Sequence, residues 1–194
     1  NPSGRTSGKP TEAFKKIIYD YPNGFQTVKT ACNLKDRNFT PIRNSTYKYV
    51  ELSDIGKSGK ILSSTLAEGD ELPSRARRRI SVNDVIISSV EGSLESCALV
   101  SKEYDNALCS TGFYVLSSDL MNPETLLLIF KSVILQNLLK QHCSGTILTA
   151  INKNEFLSIP LPIIEMAIQE KISSIMKESF LLRKRSDRLI EFAK

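Results

Sequence analysis

Ser158-Ile159-Pro160-Leu161-Pro162 is the stretch whose reading decides the fold. Each proline fixes φ and lacks an N–H, so whatever element precedes them must stop there. Beyond Pro162 neither Gly nor Pro occurs before Lys194. The pattern predicts an uninterrupted helix of about 30 residues, roughly 45 Å long. That exceeds what the core of so small a domain requires, and the chain divides into a globule and a rod. Ile168, Ile175, Leu182 and Leu189 recur at every seventh residue of the rod, with Ile172, Ser179, Ser186 and Ala193 interleaved. Bulky residues alternating with small ones make a seam suited to close pairing with a second long helix. The competing reading is an amphipathic helix folded back on its own domain, since two seam serines weaken a self-sufficient coiled coil. Arg183, Lys184, Arg185 and Arg188 are offset by Glu178, Asp187 and Glu191, which reads as a solvated face and not as a nucleic-acid patch.

The totals bound the remainder. A chain of 194 residues with 41% apolar content holds one domain plus the rod. The greasiest stretch, residues 126–139, is interrupted by Lys131, Gln136 and Asn137, so no membrane span is predicted and a soluble protein is expected. No signal peptide is visible, and a first residue that is not Met is compatible with a piece of a longer protein. Cys32, Cys97, Cys109 and Cys143 are scattered, without a C-x-x-C pair or neighbouring histidines. That spacing suits neither zinc nor a disulfide framework and predicts reduced thiols in a cytosolic protein. A net charge of +5 and a pI near 9.0 permit a polyanionic partner.

Working back from the prolines, residues 154–157 read as a turn, preceded by a connector from Gly145 to Ile151. A helix begins at Asn122 as N-cap, with Pro123 at its first position, Glu124 in its first turn and Gly145 beyond its end. Strands are predicted at residues 25–31, 47–52, 84–89, 97–101 and 107–116, and a short helix at residues 11–19 closed by Tyr21-Pro22-Asn23-Gly24. Residues 54–79 read as a polar, basic loop, and residues 1–10 as a disordered lead-in. Strands first and helices last give an α+β class and a domain spanning residues 11–160, followed by the long helix at 161–194.

Several catalytic signatures fail. Gly56-Lys57-Ser58 resembles the tail of a phosphate-binding loop, but Glu51 stands where its first glycine belongs. Asn122-Pro123-Glu124 is not the N/D-P-P-aromatic segment of an amino-methyltransferase. Asp84, Glu91, Glu95 and Asp105 lack the spacing of a nuclease metal site. His142, in the last turn of a helix, fits a cation favoured by the helix dipole better than a catalytic base. Cys109-Ser110-Thr111 has no base partner in the sequence. No cofactor is indicated.

One segment resists explanation as core: Leu72-Pro73-Ser74-Arg75-Ala76-Arg77-Arg78-Arg79. Its arginines offer forked donors matched to phosphates and to the guanine edge. It feeds directly into the strand Asp84-Val85-Ile86-Ile87-Ser88. Then follow Cys109-Ser110-Thr111-Gly112-Phe113, the capped helix, Ser144-Gly145-Thr146, Ala150-Ile151, and Ile159-Pro160-Leu161-Pro162 with Gln169 and Ile172. In that order the chain resembles the target recognition domain of specificity subunits of type I restriction–modification systems, over roughly residues 25–194. The individual motifs are weak; their combined order is specific.

The resemblance implies a non-catalytic reader of double-stranded DNA from a bacterial or archaeal cytoplasm. In such subunits each globule reads one half of a bipartite site. Long helices pair antiparallel, set the distance between halves and dock the methyltransferase (modification) subunits, and through them the restriction subunit. One globule and one rod amount to half of the usual tandem, so a homodimer or a second recognition half is expected, or else the tail of a fused methyltransferase or nuclease. The DNA-binding set is expected to be Ser74, Arg75, Arg77, Arg78, Lys57, Lys60, Thr146 and Thr149, with Arg79 ranked lower. The helix-pairing set is Ile168, Ile172, Ile175, Leu182 and Leu189. Many relatives carry Arg-Pro where this chain has Glu91-Gly92, which puts a phosphate contact there in doubt; a carboxylate instead suits cytosine N4. The alternative from another class is a protein-interaction module whose rod docks a partner and whose loop arginines are plain surface.

Overall fold

Val85-Ile86-Ile87-Ser88 is buried along its whole length, and this fixes the layering of the molecule. A strand covered on both faces reads as a continuous apolar run and not as an alternation. In the computed structural model, which describes residues 12–145 and 149–192, this strand β6 (Val85–Ser88) sits inside a four-stranded antiparallel sheet. Its neighbours are β7 (Cys97–Leu99) and β9 (Phe113–Ser117), and β2 (Asn33–Leu34) adds to β9, in the order β2-β9-β6-β7. A second sheet runs β4 (Thr65–Glu68), β3 (Thr46–Val50), β8 (Leu108–Ser110), β5 (Ala76–Arg79), with β3 and β8 parallel and the other pairs antiparallel.

Period-two geometry sends successive side chains of β6 to different layers. Val85 and Ile87, with Leu116 and Cys97, pack under α3 (Pro123–Lys131), α4 (Val133–Gln141) and α5 (Lys153–Ser158), against Leu127, Phe130, Leu138 and Phe156. Ile86, with Val115 and Ala98, faces Val50, Ile80 and Cys109 in a separate core between the sheets. Two short ribbons complete the globule: β1 (Phe25–Thr27) on β12 (Pro160–Pro162), and β10 (Cys143–Ser144) on β11 (Ala150–Ile151). Helices α1 (Glu12–Tyr19) and α2 (Val28–Ala31) flank the first ribbon.

The long helix is present as α6 (Met166–Phe192), 27 residues or about 40 Å. It begins at Met166 and not at Leu161, because the proline segment is itself a strand on β1 and Ile163 N–H donates to Gly24 O at 3.0 Å. Gln169, 2% exposed, clasps the rod to the globule. Its carboxamide oxygen accepts from Asn122 N–H (2.8 Å), its NH2 donates to Leu120 O and Ile164 O, and its own carbonyl accepts from the Asn122 side chain. Asn122 meanwhile caps α3 through Thr125 N–H, at 2.8 Å.

Other expectations shift at identifiable points. The strand placed at residues 25–31 ends at Thr27, and α2 follows because Val28 and Ala31 bury the same side of one helical turn. Residues 54–79 are not all loop, since β4 and β5 lie there as the edges of the second sheet. Residues 107–116 form two strands. Ser110 Oγ accepts from Gly112 N–H in the turn between them, and the chain crosses from one sheet to the other. The helix from Asn122 breaks at Ser132, which ends α3 in extended geometry and caps α4 through Leu135 N–H. Residues 153–158 make the short helix α5, capped by Asn152 accepting from Glu155 N–H. The lead-in at residues 1–10, Thr146 and Ala193 lie outside the described residues. No described helix is long and apolar enough to cross a membrane.

Candidate nucleic-acid interface

Arg75 stands just before the edge strand β5, and its guanidinium is held in place while remaining exposed. It donates to Glu51 Oε1 at 2.6 Å and to the Tyr49 hydroxyl at 3.3 Å, and the Glu51 carboxylate holds its pKa above the ordinary arginine value. Its backbone carbonyl accepts from Thr111 N–H. From there a chain of contacts crosses the molecule. Gly112 O accepts from both the backbone and the hydroxyl of Ser89, Ser89 O accepts from Ile151 N–H, and Glu91 N–H donates to Thr149 O at 2.9 Å. Segments remote in sequence are thus linked side by side: 51–57, 74–75, 89–96, 111–112 and 149–150.

A groove of about 1170 Å³ opens where the 55–57, 90–96 and 149 segments meet the helices, with Lys57, Glu91, Glu95, Lys131, Lys140 and Thr149 on its walls and Arg75 outside its lining. Lys57 and Thr149 both line this groove. The turn carrying Lys57 is a tight loop and not a phosphate cradle: Gly59 N–H donates to Gly56 O, and a bridge between Ile55 and Ile61 closes it. Gly59 has φ +83°, and a β-carbon there would come within 2.8 Å of Leu127, so the loop is moulded onto α3.

The other expected residues are distributed differently. Ser74 is exposed, and its carbonyl accepts from Arg77 Nε at 2.9 Å. Arg78 turns toward the 36–38 loop, donating to Asp36 O and to Asn38 Oδ1. Lys153 reaches the same loop and, as hydrogen-bond donor and neighbouring charge, holds the Asp36 carboxyl below the usual carboxylate range. Arg79 lies over the Phe39 ring, 4.0 Å from its centroid. Lys60 is not brought to this surface. Its ammonium donates to Phe180 O at 2.8 Å and sits 4.7 Å from the Phe180 ring, so it fastens the rod. His142 Nδ1 lies 2.5 Å from Glu155 Oε2, a hydrogen-bond contact between helix ends that sequence spacing did not signal.

Burial pushes the thiol of Cys97 up to about 12, that of Cys109 higher still and that of Cys143 to about 11, and all four cysteines are unpaired. Among the described residues, no three His, Cys, Asp or Glu side chains gather as a metal site.

On the rod, Gln169, Ser173, Met176 and Phe180 face the globule. The heptad residues lie beside that stripe, with Ile175 66%, Leu182 54% and Leu189 69% exposed and Ile168 also exposed, while Ile172 is half-buried at the boundary.

No family model matches the chain, and no curated protein matches it. Among solved structures it is similar to a chain of a type I R-M system studied for complex assembly and conformational transition. The two share 30% identity at a TM-score of 0.68, over 89% of this chain and 46% of that one. It is also similar to the HsdS subunit from Thermoanaerobacter tengcongensis, at 27% identity and TM-score 0.64, over 88% and 44%. The type I restriction–modification S subunit from M. genitalium shares the fold at 13% identity and TM-score 0.53, over 89% and 42%. The chain spans less than half the length of each. At that coverage the chain, with its long helix, has the fold of a type I specificity-subunit recognition domain.

Proposed function

We infer that this chain, with that fold as premise, is one recognition half of a type I restriction–modification specificity subunit. It reads one half of a bipartite double-stranded DNA site in a prokaryotic cytoplasm, pairs its rod with a second half, and positions methyltransferase and restriction subunits. It contributes no bond-making chemistry of its own. The observation that carries this reading is the coverage: nearly nine-tenths of this chain against under half of each solved relative.

In this reading the converged surface faces the duplex. Arg75, pre-aimed by Glu51 and Tyr49, makes a bidentate contact to a guanine edge, and Arg77, Lys57 and Ser74 hold phosphates. Thr149 and Glu91 stand side by side at the groove, and the Glu91 carboxylate supplies an acceptor suited to cytosine N4. Arg78 shapes the 36–38 loop behind them. Gel-shift titration against a random duplex pool at several salt concentrations tests this. Binding is expected to fall linearly in log–log form with salt. Arg75→Ala with Arg77→Ala is expected to weaken cognate binding on the order of ten- to hundredfold and to flatten the salt slope. An unchanged affinity and slope in the double variant would remove both arginines from the interface.

A further inference from the structure

The exposed stripe of α6 has a charge pattern that selects one alignment of two copies. Ile172, Ser179 and Ser186 occupy one core position of the heptad, and Ile168, Ile175, Leu182 and Leu189 the other. Lys171, Glu178 and Arg185 stand at the flanking position next to them. In an antiparallel helix pair the two kinds of core position face each other across the seam, and flanking positions of one kind meet on one side. Along this stripe the rod has a shallow groove lined by Ile175, Ser179, Leu182 and Ser186, with Glu178 and Arg183 at its rims.

We propose that α6 pairs with α6 of a second copy in a single centred register, with its two-fold axis between Phe180 and Leu181. In that register Ile175 seats on Ser186 of the second copy, Leu182 on Ser179, and Leu189 on Ile172. On the flank, Glu178 of each copy meets Arg185 of the other, so one ion pair occurs twice. Both residues are exposed, and among the described residues neither pairs with a charge of its own chain. Moving one heptad in one direction sets Glu178 against Glu178 and Lys171 against Arg185. Moving one heptad in the other direction sets Arg185 against Arg185. The serines, which weaken the seam as an isolated motif, are the sites that let the facing leucine and isoleucine approach. Among the described residues, the globule holds the rod by Gln169, Ser173, Met176 and Phe180 on the adjacent face, which leaves Ile175, Leu182 and Leu189 exposed.

The inference rests on the pairing of two halves proposed above and adds its register. The test is equilibrium sedimentation of the whole chain, Glu178→Arg, Arg185→Glu, the double variant and an equimolar mixture of the two single variants. With the wild type dimeric, each single variant is expected to dissociate at least tenfold more readily, and the double variant to recover. The mixture is expected to form a heterodimer, which a misfolded chain would not. If Arg185→Glu dimerises more tightly, or neither single change matters, the centred register is overturned while pairing stands. If the wild type stays monomeric when concentrated, both the register and self-pairing are overturned, and DNA binding by the globule remains to be judged by gel shift alone.

Discussion

Gln169 ties the rod to the globule through hydrogen bonds to Leu120 and Asn122. A fully hydrogen-bonded buried carboxamide is worth having because each partner it satisfies is otherwise orphaned away from water. Removing it leaves Asn122 N–H, Leu120 O and Ile164 O unsatisfied. Gln169→Ala is therefore expected to destabilise the chain by about 2–4 kcal/mol in urea unfolding. Gln169→Glu keeps the acceptor but not the donor, and is expected to cost less than the alanine while still falling short of wild type. A loss below about 0.5 kcal/mol for the alanine variant would show the clasp to be open in solution. In the sequence Gln169 entered only through the family resemblance. A lone polar residue beside Ile168 gives no periodic signal, and its partner Asn122 was legible only as a helix cap.

At the scale of elements, what the sequence displays is set by which side chains a strand or helix must bury. Strand β6 and the proline-led rod were readable because continuous burial and a seven-residue repeat leave compositional marks. Strand β5 was not, because an edge strand made of Ala-Arg-Arg-Arg buries only Ala76 fully and resembles a solvated loop. The break at Ser132 was hidden for the opposite reason. Both α3 and α4 are apolar, and the break is marked by the Ser132 cap and by the Gln136 side chain folded back onto Phe130 O and Leu94 O. Lys60 was read by charge alone and assigned to DNA, whereas its carbonyl and ring partners lie on α6, far away in sequence. Lys60→Ala is expected to speed amide exchange around Phe180 while leaving half-site affinity within about twofold, since its half-buried ammonium is engaged by the Phe180 carbonyl and ring. Affinity loss as large as that of the arginine variants, with exchange unaltered, would return Lys60 to the DNA surface.

For the whole molecule, rigidity of that junction is what would turn a helix pair into a ruler. A globule fixed to its rod by Gln169 and Lys60 transmits the register of the pair to the spacing of the two recognition surfaces. Two identical copies related by a two-fold axis across the rods must present those surfaces in inverted orientation. The preferred site of the dimer is therefore an interrupted palindrome, with each half reporting the same globule and the gap reporting the rods. Selection from a random duplex library by wild-type chain is expected to recover one half-site twice, inverted, at a fixed separation. Selection by Glu178→Arg or Arg185→Glu alone is expected to recover the same half-site with no preferred separation, because these changes loosen the pair and leave the groove untouched. Two different half-sequences from the homogeneous wild-type chain would exclude the symmetric pair, since identical globules cannot prefer different bases at a fixed gap. A wild-type selection that already yields isolated half-sites would mean that the globule reads DNA without a ruler, which places the second half on a different chain.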